Sequence, residues 1–441
     1  MKFWPCCGTG ILKMQMPSNP SPTGVPTNQK NASSGLRRLK ALGLRLGLVG
    51  LGLLVGLIAA ELGVRYFLSR PYTNDNGDLW TCDRLLGWRG KSQTSTPINT
   101  EGYVHKFVRN SAGMHDGEHA LSKEKGVFRI LVIGDSFVEA RQVEERETSA
   151  SILEATLNAR APAGVRYEVI SAGASAWAPA QELIYFRSEG QFYQPDLVLG
   201  FWYPANDLMD LLPDHRMTFE GINCYSPYFA ICNGQFDPEP WFSAPGLSPA
   251  QASCFAPKKA AASLLNRVYF NSRLYQHLEP LLMKYQPRVK YAFNFSPWLD
   301  RPDPTLAYAY QVTDGVYAEL AGEARQAGAK TALVIVPLKE ALYYELDQTS
   351  RLEIEAHYPE LKGANPRLPN QKLMELMAAR DILVLDLQPL FLAHLKSGGG
   401  VLYGDVDSHW NRPGNQLVGE LIARWLIEQK LVPVTPTLSA Q

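Results

Sequence analysis

The stretch Phe128-Arg129-Ile130-Leu131-Val132-Ile133-Gly134-Asp135-Ser136-Phe137 constrains this chain more than any other. Its apolar run is rich in β-branched residues and does not alternate with polar ones. That pattern suits a parallel strand buried on both faces of a sheet. The run stops abruptly at Gly-Asp-Ser. In open α/β sheets the chemistry sits in the crevice beyond the carboxyl ends of the strands. Gly134 allows a sharp turn there, and Ser136 then begins the following helix. Its own N–H and the positive end of that helix would face a reacting atom. An ordinary strand-to-helix turn with Asp135 or Ser136 as N-cap gives the same local pattern, so the rest of the chain must decide.

Downstream of this strand the pattern alternates. A helical stretch covers about Glu147 to Asn158, and a strand from Tyr167 to Ser171 ends in Ala172-Gly173. A helix follows from Pro179 to Phe192, with Pro at its start as helices prefer. A third strand, Asp196 to Trp202, runs into Pro204-Ala205-Asn206-Asp207. Residues 209–304, with many Pro and aromatic residues and three cysteines, break the rhythm and read as an insertion. A helix is expected within it near Ala260 to Lys284. The alternation resumes with a helix at Ala307–Ala327, a strand at Thr331–Val336, a helix at Asn370–Arg380 and a strand at Ile382–Leu387. An amphipathic helix at Pro413–Gln429 closes it. Five strands alternating with helices predict an α/β domain over 128–432: three α/β/α layers around a doubly wound five-stranded parallel sheet.

The amino-terminal part differs in kind. Residues 1–40 are rich in Pro, Ser, Asn, Thr and Gly and read as a disordered tail. Cys6 and Cys7 lie in it, away from any lipoprotein-type cleavage context. Arg37, Arg38, Lys40 and Arg45 then precede an apolar run from Leu46 to Val64, within an expected transmembrane signal-anchor helix at 41–68. Its length approaches the roughly 30 Å hydrocarbon thickness, and the preceding basic residues set its amino end in the cytoplasm. Everything after Arg65 is then expected outside the inner membrane. A cleaved signal peptide is the competing reading. Gly52 and Gly56 have a small-xxx-small spacing that suits helix pairing. In that oxidising location the even set Cys82, Cys224, Cys232 and Cys254 suggests two disulfides, with three connectivities open. Cys224 and Cys232 are near enough in sequence to close a local loop.

Residues 71–127 read as a polar lead-in. Asn74-Asp75-Asn76-Gly77-Asp78 lacks the acidic last position of a calcium loop and reads as a turn. His115 and His119 have helical metal-ligand spacing without a further ligand nearby, so no metal is expected. A formal net charge of zero argues against a nucleic-acid partner.

Four residues fall at strand ends or just past the last strand: Ser136, Gly173, Asn206 and His409. Together they supply what acyl transfer to or from oxygen needs. A serine hydroxyl is feeble without a base; neutral His409 could take its proton. Asp407 could hold the ring in the useful tautomer, with Asp405 a second candidate. The Ser136 N–H, the Gly173 N–H and the Asn206 amide could face the oxyanion. Singly, Gly173 is a strand-end turn, Asn206-Asp207 a cap pair and His409 a surface histidine; their joint occurrence favours a site.

These residues carry a resemblance. Gly134-Asp135-Ser136-Phe137, Ala172-Gly173, Asn206-Asp207 and Asp407-Ser408-His409-Trp410 resemble, in order, the four blocks of the SGNH (GDSL-type) hydrolase superfamily. Leu86-Gly87-Trp88, Asn110-Ser111-Ala112-Gly113 and Ile335-Val336-Pro337-Leu338-Lys339-Glu340 are similar to stretches of its membrane-anchored bacterial members. The resemblance implies a three-layer, flavodoxin-like α/β/α fold and serine-dependent ester hydrolysis or acyl transfer, with no metal or organic cofactor. The chain departs from the family at Pro204, where the third block usually has Gly, and at Val406, where the last block more often has its Asp. The Asp-x-His-Trp variant that Asp407 fits also occurs in relatives that acetylate exported polysaccharides. The expectation is therefore an extracytoplasmic serine esterase acting on O-acyl, chiefly O-acetyl, esters of glycans or lipids. An O-acetyltransferase and a non-catalytic binding module are the alternatives. The role of the 209–304 insertion, with Tyr225, Tyr228, Trp241 and Phe242 as a lid or as a subdomain core, stays open, as does oligomeric state.

Overall fold

The computed structural model describes residues 30–67, 79–213, 216–217, 224–242, 254–255, 272, 274, 295–405 and 407–434. It divides into two units, Met1–Leu62 and Gly63–Gln441. The first consists, where described, of most of one helix, α1 (Lys30–Phe67). Helix α1 starts inside the stretch expected as a disordered tail, because Leu, Arg, Lys and Ala from residue 36 onward are good helix formers. Its portion Lys40–Phe67 is 28 residues long and apolar enough to cross a membrane. The Asn74–Asp78 turn, Cys6, Cys7 and, apart from residues 272 and 274, the helix expected at 260–284 lie outside the described residues.

The second unit is built on five parallel strands. In chain order they are β5 (Val127–Gly134), β6 (Arg166–Gly173), β7 (Leu197–Trp202), β8 (Lys330–Ile335) and β9 (Leu383–Asp386), preceded by four strands of the lead-in. They lie in the order β9-β8-β7-β5-β6. Alternate side chains feed two separate cores, as the period of two requires. Leu131, Ile133, Ile170, Val198 and Leu333 face one side, together with Leu183, Val316, Leu320 and Met377. Ile130, Val132, Val169, Leu199 and Val334 face the other, with Leu153, Leu157, Ile422 and Leu426. Each such side chain contributes about 1.5–3 kcal/mol when fully buried. Helices therefore cover both faces, and the architecture is the three-layer, doubly wound α/β/α sheet expected.

The lead-in is more than an approach. It forms two antiparallel hairpins, β1 (Trp80–Asp83) with β2 (Gly87–Gly90), and β3 (Ser95–Thr100) with β4 (Tyr103–Val108). Trp80, Trp88, Phe107 and Met114 are buried in the same core as Leu131 and Ile133. Trp88 and Trp177 exchange bonds: each indole N–H donates to a carbonyl in the other's segment, Ser175 O and Trp88 O, both at 2.8 Å.

In the insertion, the described residues form short antiparallel pairs. Pro227–Tyr228 pairs with Trp241–Phe242, and Ile231–Cys232 lies between Gln235–Phe236 and Cys254–Phe255. The disulfides are Cys82–Cys224 and Cys232–Cys254. The local Cys224–Cys232 loop does not form. Cys232 is instead opposite Cys254 in strand register, and Cys224 is tied back to the first hairpin.

Candidate active site

The strand order fixes where a site can be. From β5 the chain runs to β6 on one side, whereas β7, β8 and β9 build out on the other. The crevice beyond the carboxyl ends of β5 and β7 is the switch point where ligands bind in such sheets. Ser136 follows β5, and Asn206 follows β7.

Ser136 opens α2 (Ser136–Glu139), and Asp135 is its N-cap, accepting the Phe137 N–H at 2.9 Å. The plain N-cap geometry is thus present at this turn, with Ser136 at the first helical position. The helix is one turn long, ended by Ala140 in the left-handed region at φ 46°. It offers unsatisfied first-turn N–H groups rather than a long helix dipole. The expected helical stretch resumes separately as α3 (Ser149–Asn158).

His409 Nε2 lies 2.7 Å from Ser136 Oγ. On its other side Nδ1 lies 2.5 Å from Asp407 Oδ1, which also accepts the His409 backbone N–H at 3.0 Å. With Nδ1–H donated to the carboxylate, Nε2 is free to accept the serine proton, which is the tautomer a base needs. The ring packs against Phe137, centroids 4.9 Å apart, and Phe137 in turn meets Trp410 at 4.7 Å. Burial pushes the Asp407 carboxyl up. The His409 ring, its two hydrogen bonds and the Arg141 charge more than offset that and hold Asp407 well below the usual carboxylate range. Asp405 is exposed and has no side-chain bond to His409 among the described residues; its backbone N–H donates to Glu101.

Gly173 ends β6 opposite Gly134. A Cβ on it would lie 2.6 Å from Val138 Cβ and 2.8 Å from both Asp135 O and Glu139 N. Its lack of a side chain is what lets the edge strand press against the turn that carries Ser136. Asn206 precedes α5 (Asp207–Asp210) but makes no side-chain cap. Its Nδ2 lies 3.4 Å from Asp135 Oδ2, a long contact, and its Oδ1 is buried with no partner among the described residues. The amide is therefore beside the serine turn and only weakly held by it.

Three buried carboxyls stand behind the turn. Burial pushes Asp135 up to about 6, against the Phe137 N–H and the His409 ring. Burial, followed by the Asp135 charge, pushes Glu182 and Asp207 well above the usual range.

Several supporting residues carry no sequence signal. Gln142 Nε2 donates to Asp407 Oδ2 at 3.2 Å. Glu139, fully buried, accepts from the Trp80 indole at 3.1 Å, from Ser175 N at 3.0 Å and from the Ser175 hydroxyl, and it pairs with Arg109. Burial raises its carboxyl, but Arg109 and the Ser175 bond win and hold it below the usual value. The first hairpin, the β6–α4 loop and the serine helix are thereby tied at one carboxylate, where α4 is Pro179–Ser188. His115 and His119 share no site. His115 Nδ1 bonds Glu139 O at 2.8 Å, and His119 sits between Asp116 at 2.9 Å and Glu168 at 2.8 Å.

No family model matches this sequence, and no curated protein matches it. Solved structures with a similar chain course include an acetyl xylan esterase, AlAXEase, at 14% identity and TM-score 0.33, covering 68% of this chain and 99% of that one. A lipase/acylhydrolase from Enterococcus faecalis matches at 13% identity and TM-score 0.35, covering 71% and 100%. A G-D-S-L family lipolytic protein from Desulfitobacterium hafniense matches at 12% and 0.29, covering 67% and 98%. At these values the likeness adds no argument to the geometry.

Proposed function

We propose that this chain is a serine-dependent esterase of the SGNH type, with Ser136 as nucleophile, His409 as general base and Asp407 as the acid that orients it. The observation that carries the reading is the 2.7 Å contact between His409 Nε2 and Ser136 Oγ, with Asp407 on the far nitrogen. Ser136 attacks an ester carbonyl and His409 takes the hydroxyl proton. The tetrahedral oxyanion is held by the Ser136 N–H, the Gly173 N–H and the Asn206 amide. His409 returns the proton to the departing alcohol, which leaves an acyl-Ser136. Water, deprotonated by the same ring, then releases the acid. Loss of one oxyanion donor typically costs about 10²–10³ in turnover.

The substrates we assign are O-acyl, chiefly O-acetyl, esters of glycans or lipids outside the inner membrane, with α1 as the anchor. Two features support that location: the apolar stretch Lys40–Phe67, and two disulfides, which persist in oxidising compartments. The Asp-x-His-Trp order at 407–410 favours one second reading, transfer of the acyl group to a sugar hydroxyl in place of water. Incubating the purified full-length chain with an activated acetyl ester and an oligosaccharide separates the two. Free acetate as the main product supports the esterase; acetylated oligosaccharide as the main product overturns it in favour of transfer. Absence of both would leave a binding module.

A further inference from the structure

We infer that Glu101, at the tip of the second lead-in hairpin, is a positioning residue for the proposed reaction: it holds the loop that carries Asp407 against His409. The inference rests on the esterase reading above and deepens it.

Thr100 and Tyr103 are the last register pair of β3 and β4, so Glu101 and Gly102 form the turn. Both have positive φ, 50° and 93°. Such turns favour Asn, Asp or Gly at the first position, and glutamate has no conformational claim to it. Its side chain accounts for its presence. Oε2 accepts the Asp405 N–H and Oε1 the Asp407 N–H, each at 2.6 Å. These are short, charge-assisted bonds between segments about 300 residues apart. From the helix Lys339–Leu346, Lys339 Nζ donates to Gly404 O at 2.7 Å and Asp405 O at 3.0 Å. The loop's N–H groups thus meet an anion and its carbonyls a cation. A Cβ on Gly404 would lie 2.8 Å from Glu101 Oε1, so glycine leaves room for the grip.

Open space flanks the grip. A cavity of about 280 Å³ lies between the hairpin and this loop, lined by Thr100, Glu101, Tyr103, Gln142, Asp407 and His409 among others. Without the Glu101 carboxylate the loop has space to shift, and Asp407 would shift with it. Misplacing a catalytic group by about 1 Å can cost on the order of 10²-fold in rate.

The test is hydrolysis of p-nitrophenyl acetate by the full-length protein in detergent, comparing wild type, Glu101→Gln, which keeps one acceptor, and Glu101→Ala, which keeps none. The expected result is a graded fall in kcat to about one-tenth or less in Glu101→Ala, with KM and thermal midpoint little changed. In an Asp407→Asn background, Glu101→Ala should cost less than about twofold, because it acts through Asp407. The inference is overturned if kcat of Glu101→Ala stays within about twofold of wild type, if the loss is undiminished in the Asp407→Asn background, or if KM alone rises. An inert wild type, or an active Ser136→Ala, would remove the esterase reading and this inference with it. A Ser136-dependent wild type beside an unaffected Glu101→Ala removes the inference alone.

Discussion

Asp405 stands four residues before His409 and Asp407 two, and only Asp407 meets the ring. Its Oδ1 bonds both the ring and the backbone N–H of His409, while Gln142 holds its Oδ2. Replacing Asp407 by Asn keeps the shape and reverses a donor for an acceptor, which favours the wrong tautomer. Turnover of an activated acetyl ester should fall by about 10²-fold or more in Asp407→Asn. Asp405→Asn should stay within about twofold, since it replaces an exposed side chain. Equal effects in steady-state kinetics would undo the assignment. Glu182 gives a second test. Its folded-state pKa is raised by burial, so ionisation costs stability as pH rises above the unfolded value near 4.5. Glu182→Gln removes that cost, and its thermal midpoint should gain on wild type between pH 5 and pH 8; a constant offset across that range would count against it.

At the scale of elements, the sheet was legible and much of the support was not. Ser136 and Asn206 each follow an uninterrupted apolar run, and Gly173 ends one broken only by Glu168 and Ser171, so local pattern alone placed them at strand ends. His409 was legible from its place past the last strand and from the block Asp407-Ser408-His409-Trp410, just ahead of the amphipathic helix Arg412–Glu428, which Asn411 caps by accepting the Gly414 N–H at 2.9 Å. The lead-in hairpins were read as polar approach because four- to six-residue strands carry too little periodicity to register. Glu101, Gln142 and Lys339 act only through tertiary meetings, which spacing cannot reveal. The two disulfides were legible but their pairing stayed open for the same reason: antiparallel register, not sequence distance, sets Cys232 opposite Cys254. The clamp that fastens the lead-in to β6 is testable by pH. Burial opposes charge on His119, but Asp116 and Glu168 outweigh it and raise the ring to about 9. Its contribution is therefore complete below the unfolded value near 6.5 and is lost as pH rises through about 9. The melting difference between wild type and His119→Gln should be largest at pH 6 and shrink by pH 9.5; a pH-independent difference would contradict the clamp.

For the whole molecule, the Cys82–Cys224 bond closes the larger loop, with a sequence separation of 142 against 22 for Cys232–Cys254. Chain entropy assigns about 5 kcal/mol to the first and about 3 kcal/mol to the second. Denaturant unfolding should therefore lose more stability in Cys82→Ala/Cys224→Ala than in Cys232→Ala/Cys254→Ala; the reverse order would mean that native packing, not loop closure, dominates. The lead-in, the sheet and the insertion act together here, since one bond joins the first hairpin to the insertion and one carboxylate, Glu139, joins that hairpin to the serine helix.

The central claim is that Ser136 is made nucleophilic by His409. The most direct measurement is reaction of the full-length protein with a fluorophosphonate, followed by peptide mass spectrometry. The account predicts one adduct, on Ser136, absent in Ser136→Ala and formed far more slowly in His409→Ala. No adduct, an adduct on another serine, or an undiminished rate without His409 would contradict it.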